Sequence, residues 1–116
     1  MNQDIRISCR LRIYAKDEAF LGRGPVQLLE NIQQHGSITK GAEAMEMSYR
    51  KAWQLVENMN KIAGQPLVIK RLGGKEGGGA EVTPAGKEAI ATFYEFEKEL
   101  DAFLAKKSKE MSFSFM

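Results

Sequence analysis

Residues 36–62 read GSITKGAEAMEMSYRKAWQLVENMNKI and predict two helices joined by a turn of about three residues. Ser37 and Ser48 each precede a run with apolar residues at helical spacing, and a serine hydroxyl at that position caps a helix N-terminus. The first helix is short and ends near residue 47, whereas the second runs from Tyr49 to about Ile62. Helices of roughly 8 and 14 residues with so short a connection are typical of a helix-turn-helix.

The residues before this stretch predict a pair of strands and one more helix. Apolar and polar side chains alternate strictly from Ile5 to Ile13, which predicts a half-buried strand with Cys9 on its buried face. Residues 19–21, Ala-Phe-Leu, predict a short return strand. Pro25 suits the first position of a helix, and the apolar residues after it recur at helical spacing as far as the helix-turn-helix.

The residues after this stretch predict a hairpin and a long helix. Two strand-like runs, 67–72 and 80–82, flank GGKEGGG at residues 73–79, which holds five of the eleven glycines in the chain. This pattern is typical of a β-hairpin with a glycine-rich tip. Thr83 and Pro84 then begin a last helix of about 20 residues, with apolar residues at three- and four-residue steps.

This order of elements predicts a mainly α (α+β) fold. It is a winged helix-turn-helix with an N-terminal strand pair, a glycine-rich β-hairpin wing and a long C-terminal dimerisation helix. A chain of 116 residues suits one hydrophobic core. We expect a single domain over residues 1–105 and a frayed tail over residues 106–116, where periodicity is lost.

Composition excludes several classes of protein. The chain begins with charges every few residues, and no run approaches the roughly 18 apolar residues of a membrane span, so we expect a cytoplasmic protein without membrane contact. One cysteine and one histidine cannot form an internal disulfide or a closed zinc site. We therefore expect no metal and no cofactor.

The charge distribution says more than the formal net charge of +2. Residues 37–87 hold eight basic groups against five acidic ones, whereas residues 88–105 hold five acidic groups and one lysine. The middle of the chain is therefore suited to a polyanion, and the segment after it is not. Charges that only keep a surface solvated are the alternative.

The second helix of the pair carries the candidate base-reading side chains. Its polar residues occupy about one third of the helical circle without an apolar interruption. Donors in the N-terminal half of a helix in the major groove reach base edges, so Arg50 suits guanine and Gln54 suits adenine. The predicted base-contacting residues are Ser48, Tyr49, Arg50, Lys51 and Gln54. A plain solvated helix face is the alternative for this set, and core packing is the favoured alternative to stacking for Tyr49 and Trp53.

Phosphate contacts are predicted at two further places. The start of the first helix of the pair offers hydroxyls, backbone N–H groups and the positive end of the helix dipole. The wing tip offers a lysine between glycines that let the backbone approach the DNA closely. The predicted phosphate-contacting residues are Ser37, Thr39, Lys40 and Lys75. Glu57 opposes the idea, because its carboxylate repels phosphate unless it accepts from cytosine N4 or lies beyond the DNA.

The last helix is longer than one three-helix core can cover, which predicts a dimer. Its aromatic and leucine side chains would leave apolar surface exposed in a monomer. A two-fold homodimer buries that surface and presents two recognition helices to a palindromic site. The residues predicted at the dimer interface are Phe93, Phe96, Leu100, Phe103 and Leu104. A helix that folds back on the N-terminal strands is the alternative.

The sequence does not predict an enzyme. The glycine-rich stretch lacks the Lys-Ser/Thr pair and the following helix of a nucleotide-binding P-loop, since residues 80–82 predict a strand there. A second hypothesis from another class is a winged helix that serves as a protein–protein interaction module through its acidic last helix. Such a module would bind its partner regardless of DNA and of the loss of Arg50 and Lys51.

Three segments resemble the helix-turn-helix of bacterial LysR-type regulators. They are GSITKGA at residues 36–42, MSYRKAW at residues 47–53 and NMN at residues 58–60. The wing at residues 73–80 and the VTPAG that follows it are more closely similar to the N-terminal DNA-binding domain of ModE-type molybdate-responsive transcriptional regulators. The resemblance covers most of the chain, about residues 5–105.

The resemblance implies a dimeric winged-helix domain that binds double-stranded DNA and regulates transcription. Full-length members of that family carry a C-terminal oxyanion-binding part, and this chain ends where that part would begin. We therefore expect no oxyanion-sensing domain in the chain, and no oxyanion-binding residue is carried over. The residues do not indicate an operator sequence, a small-molecule effector or the sign of regulation.

Overall fold

Four helices and two strand pairs make up the computed structural model, which describes residues 3–71 and 79–116. In chain order the elements are β1 (Arg12–Ala15), β2 (Glu18–Gly22), α1 (Arg23–His35), α2 (Ile38–Ala44), α3 (Tyr49–Ala63), β3 (Val68–Arg71), β4 (Gly79–Val82) and α4 (Pro84–Glu110). Strands β1 and β2 pair antiparallel, and so do β3 and β4. The predicted winged helix-turn-helix is confirmed.

Side-chain caps set the starts of α2, α3 and α4 as the sequence predicts. The Ser37 hydroxyl oxygen accepts from the Lys40 N–H at 2.9 Å, and the Ser48 oxygen accepts from the Lys51 N–H at 3.1 Å. Thr83 caps α4 in the same way. Each cap satisfies a backbone donor that has no partner within its helix, which stabilises the helix by about 1 kcal/mol.

Two helix ends differ from the prediction by two or three residues. Helix α1 begins at Arg23, two residues before Pro25. Helix α2 ends at Ala44, because Glu46 has a φ of 53° and so lies outside the right-handed helical region. The turn between α2 and α3 is correspondingly longer than predicted.

The core lies between the helices and is apolar throughout the described residues. Its largest fully buried side chains are Phe93, Leu28, Leu29, Ile32, Met59, Val26 and Val56. Helices α1 and α2 approach closely at Gly41, where an added Cβ would lie 3.0 Å from the Ile32 side chain. Burial of one face of α3 in this core leaves its opposite face turned to solvent.

Two sets of hydrogen bonds fix the wing strands next to α3. The Asn60 side-chain oxygen accepts from the N–H groups of Leu67 at 2.7 Å and Val68 at 3.3 Å, and its amide donates to the Val68 carbonyl at 3.1 Å. The Ala80 N–H donates to the carbonyl of Gly36, in the α1–α2 turn, at 2.9 Å. The hairpin is therefore tied to both ends of the helix-turn-helix.

The N-terminal strand is shorter than predicted. Alternation predicts a strand over residues 5–13, but β1 begins at Arg12 and the preceding residues form no strand. They lie against α4, where the Ile7 N–H donates to the Ser108 hydroxyl at 2.8 Å. Strand β2 is too short to pair with the whole of residues 5–13. The alternation instead marks the side of this extended segment that packs on α4. Cys9 is exposed, so the prediction of a buried thiol is wrong.

The last helix is longer than predicted. It continues to Glu110, so the prediction of a frayed tail is wrong for residues 106–110. Beyond it, the Phe113 N–H donates to the Gln3 side-chain oxygen at 2.8 Å, which connects the two ends of the chain. None of the helices that the structure describes is long and apolar enough to cross a membrane.

Candidate nucleic-acid interface

The solvent-facing side of α3 is the centre of the candidate site. Ala52, Val56 and Met59 on its inner side are at most 1% exposed and fix the rotation of the helix about its axis. The outer side carries the exposed residues Arg50, Lys51, Gln54, Glu57, Asn58 and Lys61. The structure therefore brings three of the five predicted base-contacting residues, Arg50, Lys51 and Gln54, together on one exposed polar face.

Two residues at the start of α3 have distinct roles. The Ser48 hydroxyl oxygen caps the helix, which leaves its proton as the group available to an external acceptor. Tyr49 is 46% exposed, so the expected core packing is wrong for this residue. Trp53, one turn further along, is half-buried against the core, as expected.

Asn58 has a supporting role that the sequence did not indicate. Its amide donates to the Ala19 carbonyl of β2 at 3.2 Å, which ties the outer side of α3 to the N-terminal hairpin. Glu57 stays exposed beside it, and its carboxylate makes no described ion pair. One negative charge therefore lies within an otherwise basic and neutral face. No sequence signal distinguishes Asn58 from a solvated asparagine, because its partner belongs to a distant strand.

The predicted phosphate contacts lie in two regions. Ser37, Thr39 and Lys40 are together at the start of α2, where Thr39 and Lys40 are exposed and Ser37 is half-buried as the cap. Next to these residues, the Gly36 carbonyl accepts a hydrogen bond from Ala80 of the wing strand β4. Lys75 lies in the segment 72–78, outside the residues that the structure describes.

The wing strand β3 contributes two cations that the sequence analysis did not single out. The Lys70 ammonium nitrogen lies 4.2 Å from the centroid of the Trp53 ring on α3. The Arg71 guanidinium is paired with Glu81 of β4, with Nη2 2.7 Å from Oε2. The alternation of side chains along a strand explains this division, since neighbouring residues face opposite ways.

The predicted dimer surface is only partly available. Phe93 is fully buried in the core, and Leu104 is only 9% exposed on the side of α4 that the N-terminal segment covers, so neither is available to a second copy, contrary to the prediction. Phe96 and Phe103 are 51% and 56% exposed, and Leu100 between them is half-buried. These three lie at i, i+4 and i+7, which places them along one stripe of α4.

Two features are absent from the described residues: a cluster of metal-binding side chains and a buried polar atom without a partner. They contain no group of three or more His, Cys, Asp or Glu side chains arranged to hold a metal ion. Among residues 3–71 and 79–116 no polar side-chain atom is buried without a hydrogen-bond partner. The described part of the site is a set of exposed polar side chains on one face of a helix, which suits recognition of a polar surface.

A helix-turn-helix with a polar third helix, and a β-hairpin anchored beside that helix, defines a winged helix-turn-helix regulatory domain. The chain belongs to the lysR family of bacterial regulatory helix-turn-helix proteins, whose family model matches residues 25–87. That range contains α2, α3 and both wing strands.

Relatives with curated names point to one branch of such regulators. The chain is 34% identical over 87 residues to "Molybdenum transport protein ModE" of Azotobacter vinelandii, covering 75% of this chain and 32% of that protein. It is 37% identical over 94 residues to "Molybdenum-pterin-binding protein MopB" of Rhodobacter capsulatus, covering 81% and 35%. It is 34% identical over 83 residues to "DNA-binding transcriptional dual regulator ModE" of Escherichia coli K12, covering 72% and 32%.

The chain thus spans about a third of the length of these relatives. The resemblance to ModE-type DNA-binding domains found in the sequence is confirmed over that part. These relatives favour a DNA-binding regulator over the alternative of a protein-interaction module.

Proposed function

We propose that this chain is a sequence-specific DNA-binding module of a transcriptional regulator, with α3 inserted in the major groove of double-stranded DNA. The exposed polar face of α3 is the observation that carries the proposal. An α-helix fits the width of the major groove, where base pairs present distinct patterns of donors and acceptors.

In this arrangement the N-terminal half of α3 reads the bases. Arg50 donates to the two acceptors of guanine, Gln54 pairs with adenine, and Lys51 and Tyr49 reach the neighbouring bases or phosphates. The Ser48 hydroxyl donates to a phosphate or base while its oxygen caps the helix. The DNA phosphates are contacted by two groups of residues. The start of α2 contributes Ser37, Thr39 and Lys40, and the wing contributes Lys75.

We also propose that the module acts as a homodimer through the stripe Phe96, Leu100 and Phe103 on α4. Two half-exposed phenylalanines on one helix face form an apolar surface that water solvates poorly. A groove of about 740 Å³ lies next to α4 and is lined in part by the half-buried side chains of Phe20 and Leu55. A two-fold axis between such faces would place two α3 helices on successive turns of DNA.

Selection from a duplex library at two salt concentrations tests both proposals. We expect an enriched palindromic motif with half-sites about 10 base pairs apart, or a multiple of that, and affinity that falls steeply as salt rises. Since the Azotobacter relative is a molybdenum transport protein, promoters of molybdenum-transport genes are the first natural sequences to assay. Binding without any enriched motif would contradict base reading, and a single unrepeated half-site would contradict the dimer.

A further inference from the structure

The two cations of β3 face opposite ways. Val68 and Lys70 share one face of the strand by two-residue alternation, and Arg71 lies on the other. Val68 is 4% exposed in the core, whereas Arg71 pairs with Glu81 across the hairpin. Lys70 therefore lies on the face of β3 that turns towards the three helices.

On that face Lys70 reaches the flank of α3. Its ammonium nitrogen lies 4.2 Å from the Trp53 ring centroid, where the negative face of the indole attracts a cation. Trp53 follows Arg50 by three residues, so the two side chains are neighbours along the helix surface. The contact thus holds a positive charge beside the helix face that carries the base-reading donors.

The Lys70 charge is available to a ligand. Lys70 is exposed, and no carboxylate in the described ranges forms an ion pair with it, in contrast to Arg71. Asn60 fixes the start of β3 with three hydrogen bonds, so the strand cannot shift freely along α3. The cation is thereby held at a defined place between the recognition helix and the wing.

We propose that Lys70 binds a phosphate of the DNA strand that passes between α3 and the wing, and that Trp53 is a positioning residue for its ammonium group. This inference rests on the proposed function, because it needs α3 to lie in the major groove. A lysine is a compact charge that neutralises a phosphate without reading bases. The contact therefore contributes affinity and register for every DNA sequence alike.

Lys70→Gln tests the proposal in titrations of a selected duplex and a scrambled one. We expect both affinities to fall by about eightfold at about 0.1 M salt, and the slope of log affinity against log salt to become shallower by about 0.9. Lys70→Arg keeps a cation that stacks on an aromatic ring, so it should restore both values. Arg71→Gln is the matched control, with the same change of charge one residue away on the opposite face, and should cost less than twofold.

The outcomes separate this inference from the proposed function. If the parent protein selects no DNA motif, the proposed function fails. If the parent protein selects a DNA motif but Lys70→Gln binds with the affinity and salt slope of the parent, only the phosphate contact is overturned. Equal losses in Lys70→Gln and Arg71→Gln would also overturn it, because they would reflect the overall charge rather than a contact.

A double-mutant cycle tests the role of Trp53. Trp53→Leu should weaken binding in the parent but have little further effect once Lys70 is Gln, because the ring acts through the ammonium group. Additive losses would show that Trp53 acts independently of Lys70. Far-ultraviolet circular dichroism of the parent and of each variant checks that the helices keep their fold.

Discussion

At the scale of single residues, three hydroxyl side chains determine where helices α2, α3 and α4 begin. Ser37, Ser48 and Thr83 cap their helices as predicted, because a cap depends on the backbone within three residues of it. The roles of Asn58, Asn60 and Lys70 could not be predicted, since their partners lie 7 to 39 residues away and outside their own element. Contacts of this kind depend on how the elements pack.

Gly86 offers a prediction at this scale. A Cβ at Gly86 would collide with the Leu67 carbonyl oxygen and with a methyl group of Val82, and the carbonyl belongs to a backbone that cannot easily move. We expect Gly86→Ala to lower the free energy of unfolding by about 2 kcal/mol, as overpacking does. Urea denaturation measures this as a lower midpoint.

Gly24→Ala is the matched control, because a Cβ at Gly24 meets nothing within 4 Å and this residue also lies in the first turn of its helix. Alanine favours the helix there by up to about 1 kcal/mol, so the midpoint should stay or rise. Equal midpoints for Gly86→Ala and the parent would mean that α4 does not pack on residues 67 and 82 as described.

At the scale of elements, the spacing of residues predicts which side chains share a face of a helix, but not which part of the protein that face contacts. The polar side of α3 was predicted correctly because one unbroken apolar stripe must face the core. Helix α4 has apolar residues on two sides, and the sequence could not divide them. The structure assigns Phe93 to the chain's own core and leaves Phe96 and Phe103 outside.

The contact between α1 and α4 gives a pH-dependent prediction. Burial, together with a hydrogen bond to the Glu30 carboxylate, raises the pKa of Tyr94 from 10.0 to about 12. Folding therefore favours the protonated phenol, and its contribution is complete below about pH 10 and is lost as pH rises through about 12. Tyr94→Phe should lower the free energy of unfolding by about 1 to 2 kcal/mol at pH 8.

This difference should shrink between pH 10 and 12, since the parent then loses the hydrogen bond that the variant lacks. Urea denaturation of both proteins at several pH values measures it, and comparison with the variant removes the effect of other titrating groups. A difference that stays constant up to pH 12 would contradict the Tyr94–Glu30 contact.

At the scale of the whole molecule, the order of elements was predictable because each is marked by its own caps and periodicity. The path of the N-terminal segment could not be predicted. An extended segment with alternating apolar residues can pack its apolar side against a helix as well as pair within a sheet. In the structure this segment lies along the far half of α4, through Ile7 and Ser108, and covers the side of the helix that holds Leu104. Phe96 and Phe103, on another side of α4, stay exposed.

Arg50→Ala tests most directly whether α3 reads DNA bases. Binding of the parent and the variant to a selected duplex and to a scrambled duplex is measured by fluorescence anisotropy at one salt concentration. We expect the variant to lose about 1 to 3 kcal/mol of binding free energy on the selected duplex and little on the scrambled one. Equal affinity of parent and variant for the selected duplex would contradict it.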